Sequence, residues 1–169
     1  DRFLPKPPAP TPTPSPTPNV QESLAVRLPD EEVQRRIKEF TSKPTRDRKQ
    51  AAKNFIPIAR ELEARRAEEN KTPVRDLGNV LTAIFDQESD FGTHPNTFKK
   101  TKTRDLGWFQ INDVYTKKGQ GAHGLYIDDQ DRLDFEKSLQ FADDFITTFY
   151  RVARREGANH EEAMATAIR

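Results

Sequence analysis

Apolar side chains recur at helical spacing through much of this chain. Leu77, Val80, Leu81, Ile84 and Phe85 fall at i, i+3, i+4, i+7 and i+8, the stripe of an amphipathic helix. The next member of that stripe is Glu88. A carboxylate sharing a face with buried apolar neighbours loses hydration, which disfavours its charged form and raises its pKa. A general acid needs that property. Further stripes occur at Phe55, Ile58, Ala59 and Leu62, and at Leu133, Phe135, Leu139, Phe141, Ala142, Phe145, Phe149 and Tyr150. The fold is therefore expected to be mainly α.

Composition divides the chain into three parts. Residues 1 to 18 hold eight of the thirteen prolines, and the run PPAPTPTPSPTP can neither form helix hydrogen bonds nor bury a core. Residues 1–28 read as a disordered proline-rich linker, with a ligand for a proline-binding module as the alternative; residues 1 to 18 would reach on the order of 50 Å when extended. Residues 29–71 read as a helical extension. In it Pro29 and Asp30 start EEVQRRIKEF, Pro44 ends it, and a second helix follows in which Pro57 marks a kink or the first turn. Residues 72–169 form the remaining domain, with Thr72-Pro73 expected to cap a helix running to about Ser89. Gly92 to Arg104 suits a short irregular hairpin or loop, Gly157 a helix stop, and Glu161 to Arg169 a last helix.

Several function classes find no support. With 28 basic and 27 acidic residues, no net field favours nucleic acid or an anionic membrane. Lys99, Lys100, Lys102 and Arg104 have only Phe98 interleaved and read as a solvated loop. No run approaches the roughly 18 apolar residues of a membrane span. DRFLPKPPAP lacks the apolar segment of a signal peptide, although a chain starting without Met is compatible with a removed leader. The absence of cysteine excludes disulfides and thiolate metal sites. His94, His123 and His160 show no paired ligand spacing, so neither metal nor cofactor is expected. Gly119 to Gly124 satisfies G-x-G-x-x-G formally, but no strand precedes it and LYIDDQDR poorly opens a phosphate-binding helix.

The chemistry concentrates around Glu88 and Asp105. Asp105 lies among Thr, Lys and Arg residues that favour its ionised form, whereas Glu88 shares its face with apolar neighbours. Two carboxylates in contrasting environments are the pattern of acid and stabiliser in glycoside hydrolysis.

ESDF followed by RDLGWFQIN resembles the lysozyme-like superfamily, in which a helix-terminal Glu-Ser is followed across a short lobe by Asp-x-Gly-x-x-Gln-Ile-Asn. In style the chain is more similar to the specialised lytic transglycosylases of bacterial secretion and conjugation machines. The resemblance covers roughly residues 72 to 169 and implies an α+β lysozyme-like domain acting on peptidoglycan glycan strands. It implies Glu88 as the catalytic acid between N-acetylmuramic acid and N-acetylglucosamine, Ser89 orienting that carboxyl or touching substrate, and Asp105 as second carboxylate. Gly107 would let the chain pass close to the sugar, and Gln110 and Asn112 would line the cleft. Trp108 and Phe109 are either core or a sugar-stacking platform. A muramidase using Glu88 and Asp105, a non-catalytic wall-binding assembly module, and a helical adaptor unrelated to glycan are the alternatives.

The sequence departs from that pattern in two places. Gly-Trp-Phe-Gln stands where such transglycosylases carry Gly-Leu-Met-Gln, and a Tyr-Asn pair would be due after AMATAI, where this chain stops. Either the protein continues past Arg169 or the site lacks that support. The resemblance further implies an extracytoplasmic location (periplasm, cell wall or secreted), with an anchor upstream of residue 1 and a secretion or conjugation apparatus as partner.

Overall fold

The computed structural model describes residues 28–42, 45–94, 97–99 and 104–169. All of the expected 1–28 linker but Leu28, together with Pro44, Lys100 and Lys102, lies outside the described residues. Helix α1 (Asp30–Ser42) opens with Asp30, Glu31 and Glu32, which suit the positive end of the helix dipole, and buries Val33, Ile37 and Phe40. Helix α2 (Arg48–Glu68) is capped by Asp47, whose side chain accepts from the amides of Lys49 and Gln50. Pro57 sits inside α2 rather than in its first turn. It removes one helical hydrogen bond, but Phe55, Ile58 and Ala59 beside it are fully buried and hold the helix in place.

The next helix begins later than its sequence suggests. Thr72-Pro73 does not cap it: α3 spans Leu77–Ser89, and Asp76 before it takes a left-handed conformation without a side-chain cap bond. The cap comes from α2 instead. Glu63 accepts from the amides of Asp76 at 2.9 Å and Gly78 at 2.8 Å, so a carboxylate distant in sequence satisfies donors the helix start leaves open. Buried Val74 anchors the turn between them.

The described residues of the Gly92 to Arg104 stretch form turns and bends, in keeping with the loop alternative, and the hairpin comes after them. Its two strands are β1 (Asp105–Leu106) and β2 (Ile111–Asn112), antiparallel, with Asp105 opposite Asn112 and Leu106 opposite Ile111. They fall just after the Gly92 to Arg104 stretch, inside RDLGWFQIN, where Gly107 at φ +85° and Gln110 at φ +47° turn the chain back while Trp108 and Phe109 are buried. Short 3-10 turns then lead to α4 (Phe135–Arg155), capped by Asp134. Leu133, expected on the α4 stripe, lies in the preceding turn and is exposed. Gly157 ends α4 as expected, with φ +97° and the amide of Ala158 bonded to the carbonyl of Ala153. Helix α5 (His160–Ala167) opens with a capping box between Asn159 and Glu162.

The described residues are thus mainly helical, with one two-stranded sheet. Helices α1 and α2 contribute to the same core as α3 and α4. Phe40 stacks on Phe135 with ring centroids 4.7 Å apart, and Phe55 meets Phe85 edge-on at 4.8 Å. An ionic bridge adds to this packing: Arg66 of α2 donates to both oxygens of Asp143 on α4. Among the described residues no helix is long and apolar enough to cross a membrane.

Candidate functional site

A groove of about 470 Å³ runs between α3, the hairpin and α4, with the end of α5 at its rim. One part of its wall is polar, carrying Gln87, Glu88, Gln110 and Asn112. Most of the rest is apolar, with Ile84, Tyr115, Phe141, Phe145 and Ile168, and Arg169 adds a charged residue at the α5 end.

Helix α3 brings Glu88 to this groove. Leu81 and Phe85 of the same stripe are fully buried, but Glu88 itself is exposed rather than buried with them. In the last turn of α3 the stripe opens onto the groove at Glu88, while Ser89 beside it stays buried. Enough protein still surrounds the carboxyl that loss of hydration raises its pKa, and the negative charge of Asp105 raises it further. The carboxyl makes no hydrogen bond or ion pair among the described residues. It is therefore free to hold or release a proton toward whatever occupies the groove.

Asp105 lies opposite Asn112 in the hairpin and accepts a hydrogen bond from the Asn112 side-chain amide at 2.8 Å. The same Asn112 side chain accepts from the amide of Val114 at 3.0 Å and so caps the 3-10 turn Asp113–Thr116. Asn112 lines the groove, but its side chain is already engaged on both sides. Gln110 also lines it, held with φ +47° while its side chain donates to the carbonyls of Gly107 at 2.8 Å and Thr97 at 3.2 Å.

Ser89, expected to orient the Glu88 carboxyl or touch substrate, and Gly107, expected to let the chain pass close to the sugar, are both buried. Ser89 is 1% exposed and does not line the groove. Its hydroxyl donates to the carbonyl of Trp108 at 2.7 Å and accepts from the amide of Gly92 at 2.9 Å, latching the end of α3 to the hairpin loop. Gly107 is buried with φ +85°, and a Cβ there would stand 1.9 Å from the carbonyl oxygen of Arg132. The close approach that demands glycine is to the Arg132 backbone, not to the groove. Arg132, itself 4% exposed, donates to the carbonyls of Arg104 at 2.9 Å and Ile111 at 2.8 Å and pairs with Asp129, pinning both ends of the hairpin.

Trp108 belongs to the core. It meets Phe135 edge-on at 5.2 Å and Phe98 at 4.9 Å, and its indole N–H donates to the carbonyl of Leu133 at 3.0 Å. Phe109 is 5% exposed and stacks on Phe85 at 4.7 Å, so it lines the groove with little of its surface. Tyr115, Phe141 and Phe145 form a groove wall that sequence reasoning missed. The spacing of Phe141 and Phe145 gives only the signal of a core and Tyr115 stands on no stripe, yet Tyr115 is half-buried, with its ring edge-on to Phe141 at 5.3 Å and Phe145 at 5.5 Å.

The histidines do not converge on the groove. His160 bridges the Tyr150 hydroxyl and the Asp76 carboxylate, at 3.0 Å each, and His123 rests edge-on against Phe149. Among the described residues no group of three or more acidic or histidine side chains is arranged to hold a metal. Comparison of the chain with protein-family models, curated proteins and solved structures finds no match.

Proposed function

We propose that the chain is a peptidoglycan-cleaving enzyme of lysozyme-like type, a lytic transglycosylase acting on the β-1,4 bond between N-acetylmuramic acid and N-acetylglucosamine. The observation that carries this reading is the Glu88 carboxyl, which lines a groove with no hydrogen-bond or ion-pair partner among the described residues and has its pKa raised by partial loss of hydration and by Asp105. Such a group is protonated over a wider pH range than an ordinary carboxylate and can act as a general acid. The motif pair around Glu88 and Asp105 supplies the substrate class.

On this route protonated Glu88 gives its proton to the glycosidic oxygen as the bond from that oxygen to C1 breaks. The resulting carboxylate then takes the proton of the sugar's own C6 hydroxyl while that oxygen bonds to C1. An anhydro sugar forms and Glu88 is again protonated. Water takes no part.

A muramidase route is the second reading, favoured by the engagement of Asp105 with Asn112 beside the groove. There Asp105 supports the cationic or covalent intermediate and water completes the reaction. In either route the protein works outside the cytoplasmic membrane, with glycan strands as its partner and a secretion or conjugation apparatus as the machine it would serve.

The test is to incubate the full chain and Glu88→Gln with purified peptidoglycan and weigh the released muropeptides. Products one water lighter than hydrolysis products, absent with Glu88→Gln, are the expected result. Hydrated reducing ends would replace the first route by the second. No release by the unmodified chain would overturn both and favour a non-catalytic wall-binding module.

A further inference from the structure

Helix α3 ends against its own electrostatics. Its last turn carries Asp86 and Glu88 and no basic residue, and Asp90 follows as its C-cap. Three carboxylates thus gather at the end of a helix whose dipole is already negative there. The chain then leaves through two non-glycine residues of positive φ, Asp90 at +48° and Phe91 at +58°. Such a turn persists only when its surroundings hold it.

The compensating cation comes from α2. Arg48, in the first turn of that helix, donates from Nε and Nη2 to the two oxygens of Asp86, both at 2.6 Å. Its Nε also lies 3.8 Å from the Asp90 carboxylate. This forked pairing fixes direction as well as distance. The other end of α3 is held by the same helix, through the Glu63 bonds to the amides of Asp76 and Gly78. Glu88 lies between Asp86 and Asp90, the two carboxylates that Arg48 engages.

We infer that Arg48 is a positioning residue for Glu88, so that α2, which precedes the segment carrying the glycosidase-like motifs, belongs to the working apparatus. The inference rests on Glu88 being the reacting acid. Arg48 touches no substrate in this account. It holds the last turn of α3 wound and the exit turn in place, keeping the Glu88 carboxyl aimed into the groove.

The pair is exposed, so its loss moves the melting temperature by only a few degrees. That separates positioning from a general structural role. In the full chain, Arg48→Gln is expected to lower kcat on peptidoglycan about tenfold with KM little changed, the scale of a small misplacement of a reacting group. Hydrogen exchange at the amides of Asp90 and Phe91, which bond to the carbonyls of Asp86 and Phe85, should accelerate. The charge-swapped pair Arg48→Asp with Asp86→Arg should restore kcat and slow exchange together. Unchanged kcat and unchanged exchange in a folded Arg48→Gln would overturn the inference. If the unmodified chain releases no muropeptides, it is the proposed activity that fails, and exchange alone then decides whether Arg48 holds the helix end.

Discussion

The Asn112 amide donates to Asp105 across the hairpin at 2.8 Å, while its carbonyl oxygen caps the turn that carries Tyr115. One side chain therefore ties the Asp105 carboxylate to the turn that carries Tyr115 on the groove wall. Asn112→Ala should cost about 1 kcal/mol of stability through the lost cap. On the transglycosylase route, both it and Asp105→Asn should slow turnover by less than about tenfold, whereas Glu88→Gln should lose at least about a hundredfold. Initial rates of muropeptide release compare the three. Equal losses at Glu88 and Asp105 would favour the two-carboxylate hydrolase instead.

Glu88 carries a pKa raised first by loss of hydration and second by Asp105. On the proposed route it must be protonated to act as general acid, so activity should fall as pH rises through that raised value. Asp105→Asn removes the second cause and leaves the first, and the alkaline limb of the pH–rate profile should move to lower pH. A limb that stays in place would separate Asp105 from the acid.

The same shift has a consequence for stability. A carboxyl whose folded pKa lies above its unfolded one favours folding most while it is protonated in both states. That contribution is lost as pH climbs from the unfolded value through the folded one. Above this window ionised Glu88 disfavours the fold, and Glu88→Gln removes the penalty. Thermal melts at neutral pH should place the variant at or above the unmodified chain. A clearly lower melting temperature would show that the carboxylate is structural.

The Gly107 conformation offers a sharp contrast. A Cβ at Gly107 would collide with backbone, 1.9 Å from the Arg132 oxygen, whereas one at Gly119, also of positive φ, meets nothing within 4 Å. Gly107→Ala should cost about 3 kcal/mol or more, combining overpacking with backbone strain, and Gly119→Ala about 1 kcal/mol from strain alone. Urea denaturation of both variants checks the difference. Similar losses would mean that the Arg132 backbone yields easily.

The helices were legible in the sequence because Phe55, Ile58, Ala59 and then Leu77, Leu81, Phe85 repeat with the helical period and do lie in the core. The beginning of α3 was not, because its cap is Glu63 on another helix, and no local pattern announces a partner so distant. Strands of two residues are too short to show alternation, so the pairing of Asp105–Leu106 with Ile111–Asn112 could not be read from the sequence. Glu88 could be singled out because a charged residue interrupted an apolar stripe. Ser89 and Gly107 could be found but not understood, since Trp108 and Arg132 give them their roles only once the chain is folded. Tyr115, Phe141 and Phe145 carried no sign that they would face a groove rather than fill a core.

Ser89 separates a latch from a substrate contact. Its hydroxyl joins the Trp108 carbonyl to the Gly92 amide in a buried position, next in sequence to Glu88. Ser89→Ala leaves a buried acceptor and a donor without partners, at a cost of about 2 kcal/mol. The loop that carries Gln110 would then be less firmly tied to the end of α3, so kcat should fall while KM barely moves. A residue that touched the glycan would behave the other way, raising KM and sparing stability. Denaturation and steady-state kinetics on the same preparation distinguish the two, and a raised KM in an equally stable Ser89→Ala would return Ser89 to the groove surface.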